Sequence, residues 1–125
     1  MFFIQLGDES MKVTVNIYYK GEGTAAKDFA LEMISSGIVS EIRHKEGNLK
    51  YEYFMPLEEN GAVLLIDQWV NQNALDEHHL SQTMEKIMKL REKYTLTMEV
   101  ERYTEDQGGI PKHDEQYIVR NKNHE

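Results

Sequence analysis

GNLKYEYFMPLEENGAVLLIDQWVNQNALDEHHLS, residues 47–81, holds two strands, the turn that joins them and the start of a helix. Residues 49–54 (LKYEYF) are rich in aromatic side chains and open after Gly47 as Gly-x-Leu-x-Tyr, which reads as a strand entered from a helix. Residues 63–70 (VLLIDQWV) form the next strand, reached across the acidic turn Glu58-Glu59-Asn60-Gly61. Asn71 is placed to cap a short helix that carries His78 back towards Trp69, the residue that closes the apolar strand.

Working outward, residues 12–19 (KVTVNIYY) alternate, with Val13, Val15, Ile17 and Tyr19 on one face and Thr14, Asn16 and Tyr18 on the other. Gly21 and Gly23 end that strand, and Thr24 is a suitable N-cap for the element that follows. Across residues 25–44, Ala26, Phe29, Ala30, Met33, Ile34, Ile38 and Ile42 recur near three-to-four spacing, a helix with one apolar face. Ser35-Ser36-Gly37 weakens its middle and predicts a bend. Beyond the central stretch, residues 72–79 and 82–93 read as helices, the second with Met84, Ile87, Met88 and Arg91 at helical spacing. Residues 95–103 (TLTMEVERY) alternate as a final strand.

The order is β-α-β-β-α-β, an α+β ferredoxin-like plait with an antiparallel sheet and helices on one face. The second face then needs cover of its own. Both faces of the first strand are half-apolar, the pattern of a strand covered on two sides.

Composition sets the outer limits. At 125 residues with 40% hydrophobic and 29% charged residues, one soluble domain is expected. There are no cysteines, which removes disulfides, a thiolate nucleophile and cysteine-based metal sites. The net charge of -8 disfavours nucleic acid and anionic membrane surfaces as partners. No apolar run approaches the roughly 20 residues that span a bilayer, and Met1-Phe2-Phe3-Ile4 lacks the basic leader of a secretory signal, so a cytoplasmic location is expected.

The order of motifs in residues 11–103 resembles the antibiotic biosynthesis monooxygenase family of dimeric α/β-barrel proteins. That resemblance implies two sheets packed into a homodimeric barrel and a cofactor-independent monooxygenase acting on a small quinol-like or phenolic compound with O2. It also implies an N-terminal extension over residues 1–10, ahead of Met11, and a polar C-terminal arm over residues 104–125, within which Tyr117-Ile118-Val119 is apolar enough to dock. The chain departs from the family pattern at Lys45-Glu46, where an acidic-proline pair is usual, and at Asn48, where cysteine is common. The haem-degrading branch carries its iron-binding histidine in the region occupied here by Met84 to Met88, which holds none.

A site for such chemistry needs an apolar pocket, a polar group to orient the substrate oxygen and a base or relay. Asn16, Trp69 and His78 are the candidate catalytic residues, with Asn16 orienting the substrate and His78 relaying the proton. Tyr51, Tyr53 and Arg43 are the candidate substrate-binding residues. Each has a plainer use: Trp69 as a core anchor, Tyr51 and Tyr53, on one face with Leu49, as packing, His78 as a surface or capping histidine. His78-His79 do not share a helix face, and no metal or other cofactor is expected. Two outcomes are distinguishable. The monooxygenase reading, with Asn16 and His78 in these roles, predicts an enclosed, apolar pocket between helices and sheet into which both point. A non-catalytic small-molecule-binding or stress-response barrel would leave His78 in solvent and Trp69 packed with no cavity beside it, while an isomerase or decarboxylase on the same fold would share the proton abstraction.

Overall fold

A computed structural model of the chain describes residues 11–121; the N-terminal extension lies outside them. Alternation dictates β1 (Val13–Lys20), in which Val13, Val15, Ile17 and Tyr19 are buried and the intervening residues are half-buried. Two helices follow where one bent helix is expected. α1 (Ala25–Ser35) ends before Gly37, and α2 (Ile38–Arg43) starts after it. Gly37 sits at a φ of 90°, a left-handed conformation that breaks the helical hydrogen-bond run rather than bending it. α1 buries Ala26, Phe29, Ala30 and Met33, and α2 buries Ile38, Val39 and Ile42, so the apolar stripe continues across the break. Burying Phe29 alone contributes about 1.5–3 kcal/mol relative to exposure.

β2 (Asn48–Phe54), β3 (Ala62–Trp69) and β4 (Thr97–Thr104) complete a four-stranded sheet in the order β2-β3-β1-β4, every pair antiparallel. β3 leads into α3 (Gln72–His79) and α4 (Gln82–Lys93). This is the ferredoxin-like α+β architecture. Two strand details differ from the sequence reading. The register of β2 on β3 slips between Asn48 and Lys50, so Leu49 sits in a bulge, half exposed, and does not join Tyr51 and Tyr53 on their face. β4 begins at Thr97, since Thr95 has a φ of 51° and ends the preceding helix-turn.

Residues directly opposite in the ladder share a face. The helix-covered face therefore carries Val13, Val15, Ile17 and Tyr19 from β1, Leu65, Asp67 and Trp69 from β3, and Tyr51 and Tyr53 from β2. The open face carries Asn16, Tyr18, Leu64, Ile66, Glu52 and Phe54, half-buried or exposed. Every residue of β4 is exposed, including Met98 and Val100 on the helix side; Val100 is 57% exposed. The helices stop short of this strand, and only Arg102, donating to Gln72 Oε1 at 2.8 Å, links it to α3 among the bonds described. After β4 the chain makes a 3-10 helix (Lys112–Tyr117) with Ile110, Tyr117 and Val119 exposed. Among the described residues no helix is long and apolar enough to cross a membrane.

Candidate functional site

Trp69 ends β3 where the Val70 amide donates to the Gly47 carbonyl at 2.8 Å, which fixes the chain's exit. Gly47 has a φ of 88°, and a Cβ there would lie 2.7 Å from Ala74 Cβ, so only glycine allows this approach of the turn to α3. Asn71 Oδ1 accepts from the Ala74 amide at 2.9 Å and caps α3, as its position predicts. Two turns on, His78 returns to Trp69, and the rings stack with centroids 5.0 Å apart at 24°.

His78 is 4% exposed and does not face solvent. Burial, and then the nearby side chains of Lys45, His79 and Arg91, push its pKa down to about 4, so the ring is neutral near neutral pH. Lys45 Nζ lies 2.9 Å from His78 Nδ1. An ammonium can only donate, so Nδ1 accepts and the imidazole proton sits on Nε2. Lys45 also donates to Ser81 Oγ at 2.8 Å, and Ser81 Oγ donates to the His78 carbonyl at 2.6 Å. Burial draws the Lys45 pKa below its usual value. Lys45, Trp69, Ala74, His78 and Ser81, with Glu46 and Glu77, line a depression of about 220 Å³.

Behind Trp69 lies a group that the sequence reading passed over. The indole Nε1 donates to Asp67 Oδ1 at 2.7 Å, and Asp67 is only 5% exposed. Burial pushes its carboxyl up to about 7, against the opposing pull of the Trp69 N–H, Arg91 and Lys45. Arg91, from α4, donates to the Tyr19 hydroxyl at 3.0 Å with its guanidinium carbon 5.4 Å from that ring's centre. Tyr51 and Tyr53 meet edge to face, 5.9 Å between centroids. Burial raises all three phenols, Tyr19, Tyr51 and Tyr53. Two polar atoms here, Tyr53 Oη and Arg91 Nε, are sealed from solvent with no hydrogen-bond partner among the described residues.

The structure thus brings Trp69, His78, Tyr51 and Tyr53 to one face. It does not bring Asn16 there. Asn16 pairs with Ile66 and Glu101, one residue out of phase with Val13 and Trp69, so the pleat sends it to the open face. Its Oδ1 is sealed and unpartnered among the described residues. Arg43 is also engaged elsewhere: Nε and a terminal nitrogen both donate to the Tyr51 carbonyl, at 3.0 and 2.7 Å, which clamps the outer strand β2 to α2. Asp67 was visible in the sequence as the lone acid in VLLIDQWV, two residues from Trp69 and hence on its face. Lys45 and Ser81 carried no such signal, since their meeting depends on the turn at Gly47 and the end of α3.

Residues 12–90 match the antibiotic biosynthesis monooxygenase family. The chain belongs to that family. Its sheet and helices superpose on a conserved protein of unknown function from Bacteroides thetaiotaomicron with a TM-score of 0.68, at 12% identity over 77% of this chain and 99% of that one. A candidate antibiotic biosynthesis monooxygenase from Deinococcus radiodurans gives 0.66 at 17% identity, over 75% and 92%. SnoaB, a cofactor-independent oxygenase from Streptomyces nogalater, gives 0.64 at 13% identity, over 78% and 95%. At these identities the likeness is one of fold. No curated protein matches the chain by sequence.

Proposed function

We propose that this family member is a monooxygenase that oxidises a small phenolic or quinol-like compound with O2, using no metal or flavin, on the helix-covered face of its sheet. The observation that carries the reading is the stack of neutral His78 on Trp69 above the buried Asp67, beside a depression lined by both rings. Family membership and the likeness in fold to a cofactor-independent oxygenase support it. The reaction needs the substrate to lose a proton, because the anion passes an electron to O2 far more readily than the neutral phenol does. A ring C–H of the substrate then becomes C–O while the ring is oxidised to the quinone level; one oxygen atom stays in the product and the other leaves as water. All electrons come from the substrate. Trp69 supplies a flat apolar wall to that depression, and His78, with its proton on Nε2, supplies a donor.

The working form is a homodimer in this proposal. The open face exposes or half-buries Tyr18, Leu64, Ile66 and Phe54. A second copy laid on this sheet would cover them, and the exposed strand β4 adjoins the same face.

Oxygen uptake by chelator-treated protein against a panel of hydroquinones and naphthols tests the reaction, alongside His78→Gln and Trp69→Phe. Uptake above autoxidation, reduced in both variants, is the expected result. Uptake equal to autoxidation for every compound would overturn the reading and leave a binding barrel.

A further inference from the structure

We propose that Lys45 is a nucleophilic amine that captures a small uncharged aldehyde or ketone as an imine, in the depression beside Trp69 and His78. The proposal shares that depression with the oxygenase reading but goes beyond it, since imine formation consumes no oxygen and needs no redox partner.

Lys45 differs from other lysines of the chain in what surrounds its nitrogen. Lys12, Lys20, Lys86 and Lys93 each pair with a glutamate, whereas Lys45 makes no ion pair among the described residues. Both of its partners are neutral: Nζ donates to His78 Nδ1 at 2.9 Å and to Ser81 Oγ at 2.8 Å. The side chain is half-buried, and burial disfavours the ammonium more than Glu41 and Asp67 favour it. Lys45-Glu46 is also where the chain departs from the acidic-proline pair usual in its family.

Loss of the proton costs this amine no hydrogen bond. An ammonium has three N–H donors and a neutral amine two. Two suffice here. His78 Nδ1 offers a lone pair because the ring proton sits on Nε2, and Ser81 Oγ sends its own proton to the His78 carbonyl at 2.6 Å. The position left over on Nζ is then a lone pair, the group that attacks a carbonyl carbon. Its two acceptors are themselves fixed, since the His78 ring stacks on Trp69 and Ser81 bonds to the end of α3, so the flexible lysine stem ends in a held nitrogen.

The depression supplies room and selectivity. At about 220 Å³ it lies below the roughly 300 Å³ at which sites for drug-sized ligands begin, and the Trp69 and His78 rings on its wall suit a small planar compound. Glu46 and Glu77 line it too, and their carboxylates disfavour an anionic carbonyl compound such as a keto acid. In the step itself the Nζ lone pair forms a C–N bond while the carbonyl pair moves to oxygen and takes up a proton. The C–O bond of this carbinolamine then breaks, its oxygen leaves as water with a second proton, and the C=N bond forms. Both amine hydrogens end in the water, and no electron is gained or lost. Glu77 and the Ser81 hydroxyl, on the same wall, are the groups placed to carry those protons.

The test incubates the intact protein near neutral pH with benzaldehyde and sodium cyanoborohydride, which reduces an imine to a stable benzylamine, and locates the label by peptide mass mapping. Lys45 is expected to take up label roughly tenfold or more faster than the mean of the other lysines, at a rate that levels off as benzaldehyde is raised, because the probe binds before it reacts. The chain's α-amino group also labels at neutral pH and is resolved in the map. With 4-carboxybenzaldehyde the preference for Lys45 should shrink. Lys45→Arg and Lys45→Met should lose the fast label while circular dichroism reports an intact fold. Label spread evenly over the lysines, or a Lys45 rate that climbs in proportion to benzaldehyde without levelling off, would overturn the proposal. Oxygen uptake with quinols but no preferential label at Lys45 would sink this proposal and leave the oxygenase reading standing. Fast label at Lys45 with no uptake for any compound would do the reverse.

Discussion

Asp67 and His78 titrate in opposite senses, and together they conceal a pH dependence of stability that single substitutions expose. The Asp67 carboxyl is pushed up from 3.8 to about 7, so the folded state holds its proton more tightly than the unfolded chain does. Its contribution is best at low pH and is lost as pH climbs from 3.8 to about 7; at about 1.4 kcal/mol per pH unit the loss is about 4 kcal/mol. His78 is pushed down from 6.5 to about 4, so here the unfolded chain takes the proton first. That group costs the fold about 3 kcal/mol at acid pH, and the cost is relieved as pH climbs from about 4 to 6.5. Between about pH 4 and 6.5 the two slopes nearly cancel. Asp67→Asn removes one of them. The stability of this variant minus that of the parent should rise by about 4 kcal/mol from pH 4 to above 7, and the variant should be the more stable protein at alkaline pH. For His78→Gln the same difference should fall by about 3 kcal/mol over pH 4 to 6.5. Urea unfolding followed by the fluorescence of the single tryptophan, Trp69, reads both profiles, and subtraction removes the other carboxylates. Difference profiles that are flat with pH would show that neither group is perturbed by burial, and the electrostatic account of the site would fall with them.

Gly47→Ala and Gly37→Ala both place a side chain at positive φ, but only at Gly47 would the Cβ collide, at 2.7 Å from Ala74 Cβ and 3.0 Å from Val70 Cγ2. Gly37→Ala should cost about 1–2 kcal/mol and Gly47→Ala roughly 2–5 kcal/mol by urea midpoint; equal losses would dismiss the close approach of that turn to α3. Asn71→Ala removes the cap of α3 and should cost about 1 kcal/mol in thermal unfolding, whereas an unchanged midpoint would mean the cap bond contributes nothing. Lys45→Met takes a cation away from His78 and should move its pKa upward in an NMR titration, with no movement counting against the Lys45–His78 contact.

The fold was legible because its signals are local. Alternation in VTVNIYY and VLLIDQWV, the apolar stripe from Ala26 to Ile42, and the cap at Asn71 each specify an element without help from distant residues. Gly37 was seen as a weak point, but whether a glycine bends or breaks a helix depends on its φ, which neighbours do not dictate. The site was half legible. Trp69 and Asp67 share a face by strict period-two alternation, and Tyr51 and Tyr53 do likewise. What alternation on one strand cannot give is the register against another. Asn16 and Trp69 each lie on a known face of their own strand, and only the pairing of Val13 with Trp69 shows that these faces are opposite. Lys45, Ser81 and Arg91 converge from a turn, a helix end and a second helix, and no spacing in the chain announces a meeting over that many residues.

The most direct test supplies heavy-isotope dioxygen to the protein with the quinol or naphthol that drives the fastest uptake, and weighs the product by mass spectrometry. The account predicts a product carrying a single labelled oxygen atom, formed in the absence of metal and flavin, with its yield cut sharply by His78→Gln and by Trp69→Phe. A product whose new oxygen comes from water, or a yield indifferent to both substitutions, would contradict it.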